Sequence, residues 1–324
     1  MSASILKVEN LVLYYSTLRG VVKAVDHVSF EIKRGETLAI VGESGSGKSS
    51  TAIAIVRILP RNVGAYKGSV IFNGTDIMKL GEEEFRKKVR VGGISMVFQG
   101  AMNSLNPVMR VEDQIAEPLV INMGYSRQEA VSEALNALKL VGLDAAVGRR
   151  YPHELSGGMK QRVLIAMSLA TKPKLIILDE PTSALDVITQ ANIMNLLKKL
   201  RNEMGFTYMF ITHDLGLASE LADSVAVMYA GKIVEIGPAE SVYLQPNHPY
   251  TKLLMDSVPT LREDRPPSFI PGAPPDLINL PNGCSFHPRC PYVIRGKCDV
   301  DDPPMIKADH GSYAACWLLE KERK

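Results

Sequence analysis

The segment Gly42-Glu43-Ser44-Gly45-Ser46-Gly47-Lys48-Ser49 constrains this chain more than any other. It fits the pattern G-x-x-x-x-G-K-[ST] and stands between a short apolar stretch, Thr37–Val41, and a helix-compatible stretch from Lys48 to about Leu59. A strand, a glycine-rich turn and a helix in that order form a cradle for phosphate. Glycines let the backbone curl so that successive N–H groups face one point, and the helix N-terminus adds its partial positive charge. Lys48 is then expected on the β- and γ-phosphates and the Ser49 hydroxyl on Mg²⁺. Gly42, Ser44, Gly45, Ser46, Gly47, Lys48, Ser49 and Ser50 are the expected nucleotide contacts.

Leu175-Ile176-Ile177-Leu178-Asp179-Glu180 supplies the second half of such a site. Four apolar residues predict a buried strand, with two acids at its C-terminal edge, where open α/β sheets bind ligands. Asp179 is placed to hold Mg²⁺ and Glu180 to act as base or polariser toward an attacking water.

Around these motifs the pattern predicts an α/β core. The first 40 residues read as strands, with further strands at Ser69–Phe72, Ile94–Phe98, Leu175–Leu178, Tyr208–Ile211 and Val225–Met228. Between about residues 100 and 170 the pattern turns helical. Ser126 and Glu129 form a capping box ahead of an apolar stripe of Ala130, Ala134, Leu135 and Leu138. Seven prolines between Pro259 and Pro281 predict a linker at 259–283. The predicted architecture is an ATP-binding domain over 1–258, bounded near Val258, then that linker and a small irregular cysteine-bearing extension over 284–324.

A net charge of +2 in 324 residues gives no reason to expect a nucleic-acid partner. No apolar run is long enough to span a bilayer, and Met1–Asn10 lacks a signal-peptide pattern. The expectation is a cytoplasmic protein that meets a membrane only through other chains. All four cysteines lie late, spaced C-x₅-C-x₇-C-x₁₇-C at Cys284, Cys290, Cys298 and Cys316. So small a unit usually needs a staple. A reducing compartment argues against disulfides, and zinc usually takes closer cysteine pairs. Four thiolates with longer gaps suit an iron–sulfur cluster. Zinc, with His287 and His310 as spare ligands, and free thiols stay open.

Leu155-Ser156-Gly157-Gly158-Met159-Lys160-Gln161-Arg162 resembles the signature motif of ABC ATPases, with Met159 where Gln is usual. The rest of that family's set is present in order. Gln99 resembles the glutamine that reaches Mg²⁺ and the attacking water, Ser183-Ala184-Leu185-Asp186 the D-loop, and His213 the switch histidine at the γ-phosphate. Tyr15 stands where an aromatic stacks on adenine, with Tyr14 as its rival. The resemblance implies a P-loop core with a β-subdomain and an inserted helical subdomain. It also implies that Ser156, Gly157 and Gly158 complete the site of a second homologous ATPase subunit.

Asn247-His248-Pro249-Tyr250-Thr251, Gly283–Pro291 and Ser104-Leu105-Asn106-Pro107 narrow the resemblance to the ATPases of oligopeptide/dipeptide importers. That implies two permease subunits, an extracytoplasmic solute-binding protein, a place on the cytoplasmic face of the membrane, and a four-iron cluster on the four cysteines. Some members of that family carry oligosaccharides. A soluble ABC ATPase without a transport role is the alternative. A further expectation is that Met102 and Leu105 line a groove for a short permease helix.

Overall fold

The computed structural model describes residues 4–257 and 269–321. The chain divides into two compact units, one of Met1–Ile5, Lys33–Gly35 and Phe72–Phe210, the other of Leu6–Ile32, Glu36–Ile71 and Ile211–Lys324. The predicted boundary at Val258 and the linker's first ten residues lie outside the described residues.

In the first unit the strands Ile94–Val97 and Leu175–Asp179 pair in parallel, from Ile94 opposite Leu175 to Val97 opposite Leu178. Ile176 N–H donates to the Thr207 carbonyl, which leads into the strand Tyr208–Ile211. All five residues of Leu175–Asp179 are buried, as an unbroken apolar run in a parallel sheet requires. The helical region consists of Val111–Met123, Arg127–Leu140 and Gly157–Ala170, followed after the strand by Val187–Met204. Ser126 and Glu129 form the expected capping box. The buried stripe is Ala130, Ala134, Ala137 and Leu138, while Leu135 is only half-buried. At 100° per residue, position 137 falls back over 130 and position 135 swings to the flank.

In the second unit the long strands Gly20–Lys33, Ser4–Thr17 and Val63–Phe72 lie side by side in that order. The last begins six residues earlier than its apolar signal, because residues 63–68 are exposed or half-buried and show no inward face. The fully buried strand Thr37–Val41 pairs in parallel with Ser224–Tyr229, which pairs antiparallel with Lys232–Pro238. Two short strands of the cysteine-bearing segment extend this sheet. Tyr313–Ala314 pairs with Glu235 and Ile236, and Ile306–Lys307 pairs with Tyr313–Ala314. The helix opened by Lys48 stops at Val56, short of Leu59, because Arg57 takes a left-handed cap (φ 54°) and Pro60 follows. No helix among the described residues is long and apolar enough to cross a membrane.

Candidate functional site

The phosphate loop joins two elements whose ends fix its shape. Gly42, Gly45 and Gly47 all have positive φ, at 148°, 77° and 104°. A Cβ on Gly47 would sit 2.1 Å from the Ala24 carbonyl oxygen, and one on Gly42 would sit 2.2 Å from that of Met228. Both neighbours are backbone, so only glycine fits at either place. Lys48 is buried, and its Nζ donates to the carbonyls of Gly42 (2.8 Å) and Glu43 (2.9 Å). The Ser46 hydroxyl is buried with no hydrogen-bond partner. A buried polar atom without a partner is uncommon, and in this loop it fits a polar ligand such as phosphate. Ser49 and Ser50 stand half-buried in the helix's first turn, whereas Ser44 and Gly45 are exposed.

The same unit holds His213. Thr212 N–H donates to the carbonyl of Ile40, two residues before Gly42, which brings exposed His213 to the loop's end of the sheet. Tyr14 donates its hydroxyl to Asp26 Oδ1 at 2.5 Å, so its polar end is committed, and Tyr15 stands half-buried beside it.

In the first unit, the register of Ile94–Val97 against Leu175–Asp179 brings Gln99 to Glu180, and Gln99 Nε2 donates to Glu180 Oε2 at 2.8 Å. Asp179 ends its strand buried at 3% exposure. Glu180 follows at φ 47°, a left-handed conformation that costs a non-glycine residue free energy and recurs at functional sites. Ser156 caps the 14-residue helix Gly157–Ala170, its hydroxyl accepting from Met159 N–H, so Ser156 and Gly157 are exposed at a helix N-terminus. That end favours an anion. Asp186 caps Val187–Met204 in the same way.

The groove expectation is corrected at Leu105, which is 5% exposed and packed into its own chain. Gln114 folds the loop inward: its Oε1 accepts from Asn106 N–H, and its Nε2 donates to the carbonyls of Asn106 and Met109. The Met102 side chain lies outside the described residues.

Cys284, Cys290, Cys298 and Cys316 are unpaired and line one small cavity with His248, His287 and Trp317. Burial pushes the Cys284 thiol up to about 12 and Cys316 to about 11, and raises Cys290 as well. Among the described residues no group of three or more His, Cys, Asp or Glu side chains is arranged to hold a metal ion.

A sequence profile for ABC transporters matches residues 25–183, and one described as the oligopeptide/dipeptide transporter C-terminal region matches residues 234–298. The oligopeptide transport ATP-binding protein OppD of Haemophilus influenzae is 45% identical over 317 residues, covering 97% of each chain. This chain belongs to the oligopeptide/dipeptide family of ABC transporter ATP-binding subunits. OppD of Bacillus subtilis is 46% identical over 324 residues, covering 98% of this chain and 90% of that protein. The dimeric structure of a bacterial ABC transporter cassette superposes with a TM-score of 0.64 at 32% identity, covering 72% of this chain and 98% of that one. The fold is therefore the ABC ATPase cassette, and an enzyme of this family works on ATP with Mg²⁺.

Sequence reasoning missed what this ABC subunit does with Glu43 and Arg289. Arg289 donates through two nitrogens to Glu43, at 2.7 Å to Oε2 and 3.0 Å to Oε1. These hydrogen bonds hold the guanidinium well above its ordinary pKa. In the loop pattern Glu43 occupies a variable position. The one available signal was a lone cation between Phe286 and Cys290, inside a turn otherwise poor in charge.

Proposed function

We propose that this chain hydrolyses ATP to power peptide import through partner subunits. The observation that carries the proposal is the end-to-end likeness to oligopeptide transport ATP-binding proteins, 97% of each chain. In this reading the loop amides of Gly42–Ser49 and Lys48 bind the β- and γ-phosphates, Tyr15 carries adenine, and Ser50 adds a first-turn hydroxyl. Ser49, Asp179 and Gln99 would hold Mg²⁺, which would supply positive charge beside the phosphates. Glu180 orients and deprotonates the attacking water, and the Gln99–Glu180 bond supports it by fixing that carboxylate. His213 contacts the γ-phosphate.

Ser156, Gly157 and Gly158 face the site of a second homologous ATPase subunit, so two ATP molecules lie between the pair. Two permease subunits and an extracytoplasmic solute-binding protein complete the importer, and the chain works at the cytoplasmic face of the membrane. No nucleic acid is involved. Residues 1–258 form the ATP-binding domain, 259–283 the linker and 284–324 the extension.

The four cysteines are the ligands we assign to a [4Fe-4S] cluster. What supports the assignment is the donor type: four thiols line one small cavity, and thiolates are the usual ligands of such clusters. The cluster would supply structure, stapling a segment with few apolar residues, and has no part in hydrolysis.

The test is uptake by proteoliposomes containing this chain, a second homologous ATPase subunit, two permease subunits and a solute-binding protein from the same organism. Labelled peptide should accumulate only with ATP inside and the binding protein outside. Accumulation of an oligosaccharide in place of peptide would overturn the solute class, and hydrolysis indifferent to every added component would favour a soluble ATPase.

A further inference from the structure

Glu43 is held at each of its polar groups. Its N–H donates to the Tyr250 hydroxyl at 2.9 Å. Its carbonyl accepts from Lys48 Nζ at 2.9 Å and from Ser46 N–H at 3.2 Å. Its carboxylate receives the two-pronged Arg289 pair. The backbone of Glu43 thus sets the resting place of Lys48 and the pitch of the loop at Ser46.

Arg289 is itself immobilised. It is 6% exposed, donates through Nε to the Pro271 carbonyl at 2.8 Å and through Nη1 to the Tyr229 hydroxyl at 3.3 Å, and lies over the rings of Tyr229 and Phe286. Its turn is closed by His287 N–H on the Cys284 carbonyl and Cys290 N–H on the His287 carbonyl. A buried ion pair is poor support for stability, because desolvation offsets the attraction. What a forked pair of this geometry supplies is orientation.

We infer that Arg289 is a positioning residue for the nucleotide site: it reaches out of the cysteine-bearing tail and fixes Glu43, so that the phosphate loop keeps its binding shape. Cys284 and Cys290 flank the turn that carries it, so this side chain links the packing of the tail to the loop directly. The inference rests on the reading of Gly42–Ser49 as the nucleotide site.

The test measures binding of a fluorescent ATP analogue with Mg²⁺ to the full-length chain, well below its melting temperature. Arg289→Gln and Glu43→Gln should each weaken binding by about ten-fold, within the range of coupling found for charged groups in contact. The double variant should be no weaker than the weaker single. Arg289→Lys keeps the charge without the fork and should fall between wild type and Arg289→Gln. Lys297→Ala removes a tail contact over Trp317, away from Arg289, and should leave binding at the wild-type level. A tail that merely adds stability would lower the melting temperature without moving affinity. Binding by Arg289→Gln within two-fold of wild type, or losses that add in the double variant, would overturn the inference. If Arg289→Gln fails to fold, Arg289→Lys and Glu43→Gln carry the same comparison. Lys48→Ala is the separate arm: retained binding there would overturn the site reading itself, whatever Arg289 does.

Discussion

Phe286→Ala should destabilise the whole nucleotide-binding unit, although Phe286 lies in the cysteine-bearing extension. Phe286 is 1% exposed. Its ring meets Tyr229 edge-on at 5.2 Å and lies 5.3 Å from Tyr250 and 5.9 Å from His248. Tyr229 ends a strand that pairs with the one leading into the phosphate loop, so the cluster is continuous with the core of that unit. Truncating a fully buried Phe costs about 3–5 kcal/mol. For a unit of this size each kcal/mol lowers Tm by about 2–4 °C, which gives a drop on the order of 10 °C. Phe269→Ala, at an 87% exposed position, should stay within about 0.5 kcal/mol of wild type. Scanning calorimetry of the full-length chain reads both. The reasoning fails if Phe286→Ala leaves the main transition in place and only creates a separate low-temperature one, for then the extension is a tethered appendage.

Other predictions concern single sites. Gly47→Ala should abolish nucleotide binding while the protein stays folded, because its Cβ meets the Ala24 carbonyl at 2.1 Å and the loop must deform; equilibrium dialysis with ATP checks it, and normal binding would refute the steric argument. Ser126→Ala removes the capping box of Arg127–Leu140 and should cost about 1 kcal/mol in urea unfolding, with ATP binding unchanged. Anaerobically purified protein should contain four iron and four sulfide per chain under the cluster assignment; stoichiometric zinc, or a metal-free tail, would refute it.

Local requirements were legible in the sequence. The phosphate loop announces itself because its glycines answer a backbone demand that no other residue meets. Leu175–Leu178 announces itself because a strand buried on both faces is apolar at every position. Ser126 and Glu129 cap a helix through contacts three residues apart. Long-range pairings were not legible. Glu43 and Arg289 are separated by 246 positions, and nothing near either residue marks the other. The burial of Leu105 depends on Gln114 bonding back to Asn106, a side-chain geometry that no periodicity encodes. The first half of the strand Val63–Phe72 leaves no signal in the sequence because it is exposed or half-buried and carries no alternation. Gln99 is expected from the resemblance and Glu180 from the acids that end an apolar strand, but their direct bond follows from strand register, which appears only once the sheet is assembled.

In the mechanism we propose for this ABC ATPase, Glu180 is the water-activating group. The most direct measurement is the rate of ATP hydrolysis by the assembled transporter carrying Glu180→Gln, together with the nucleotide that stays bound. The substitution should lower the rate by about 10²–10⁴-fold and leave ATP trapped in paired subunits, because binding through the phosphate loop survives while the base is gone. Hydrolysis at the wild-type rate, with no trapped ATP, would contradict the account.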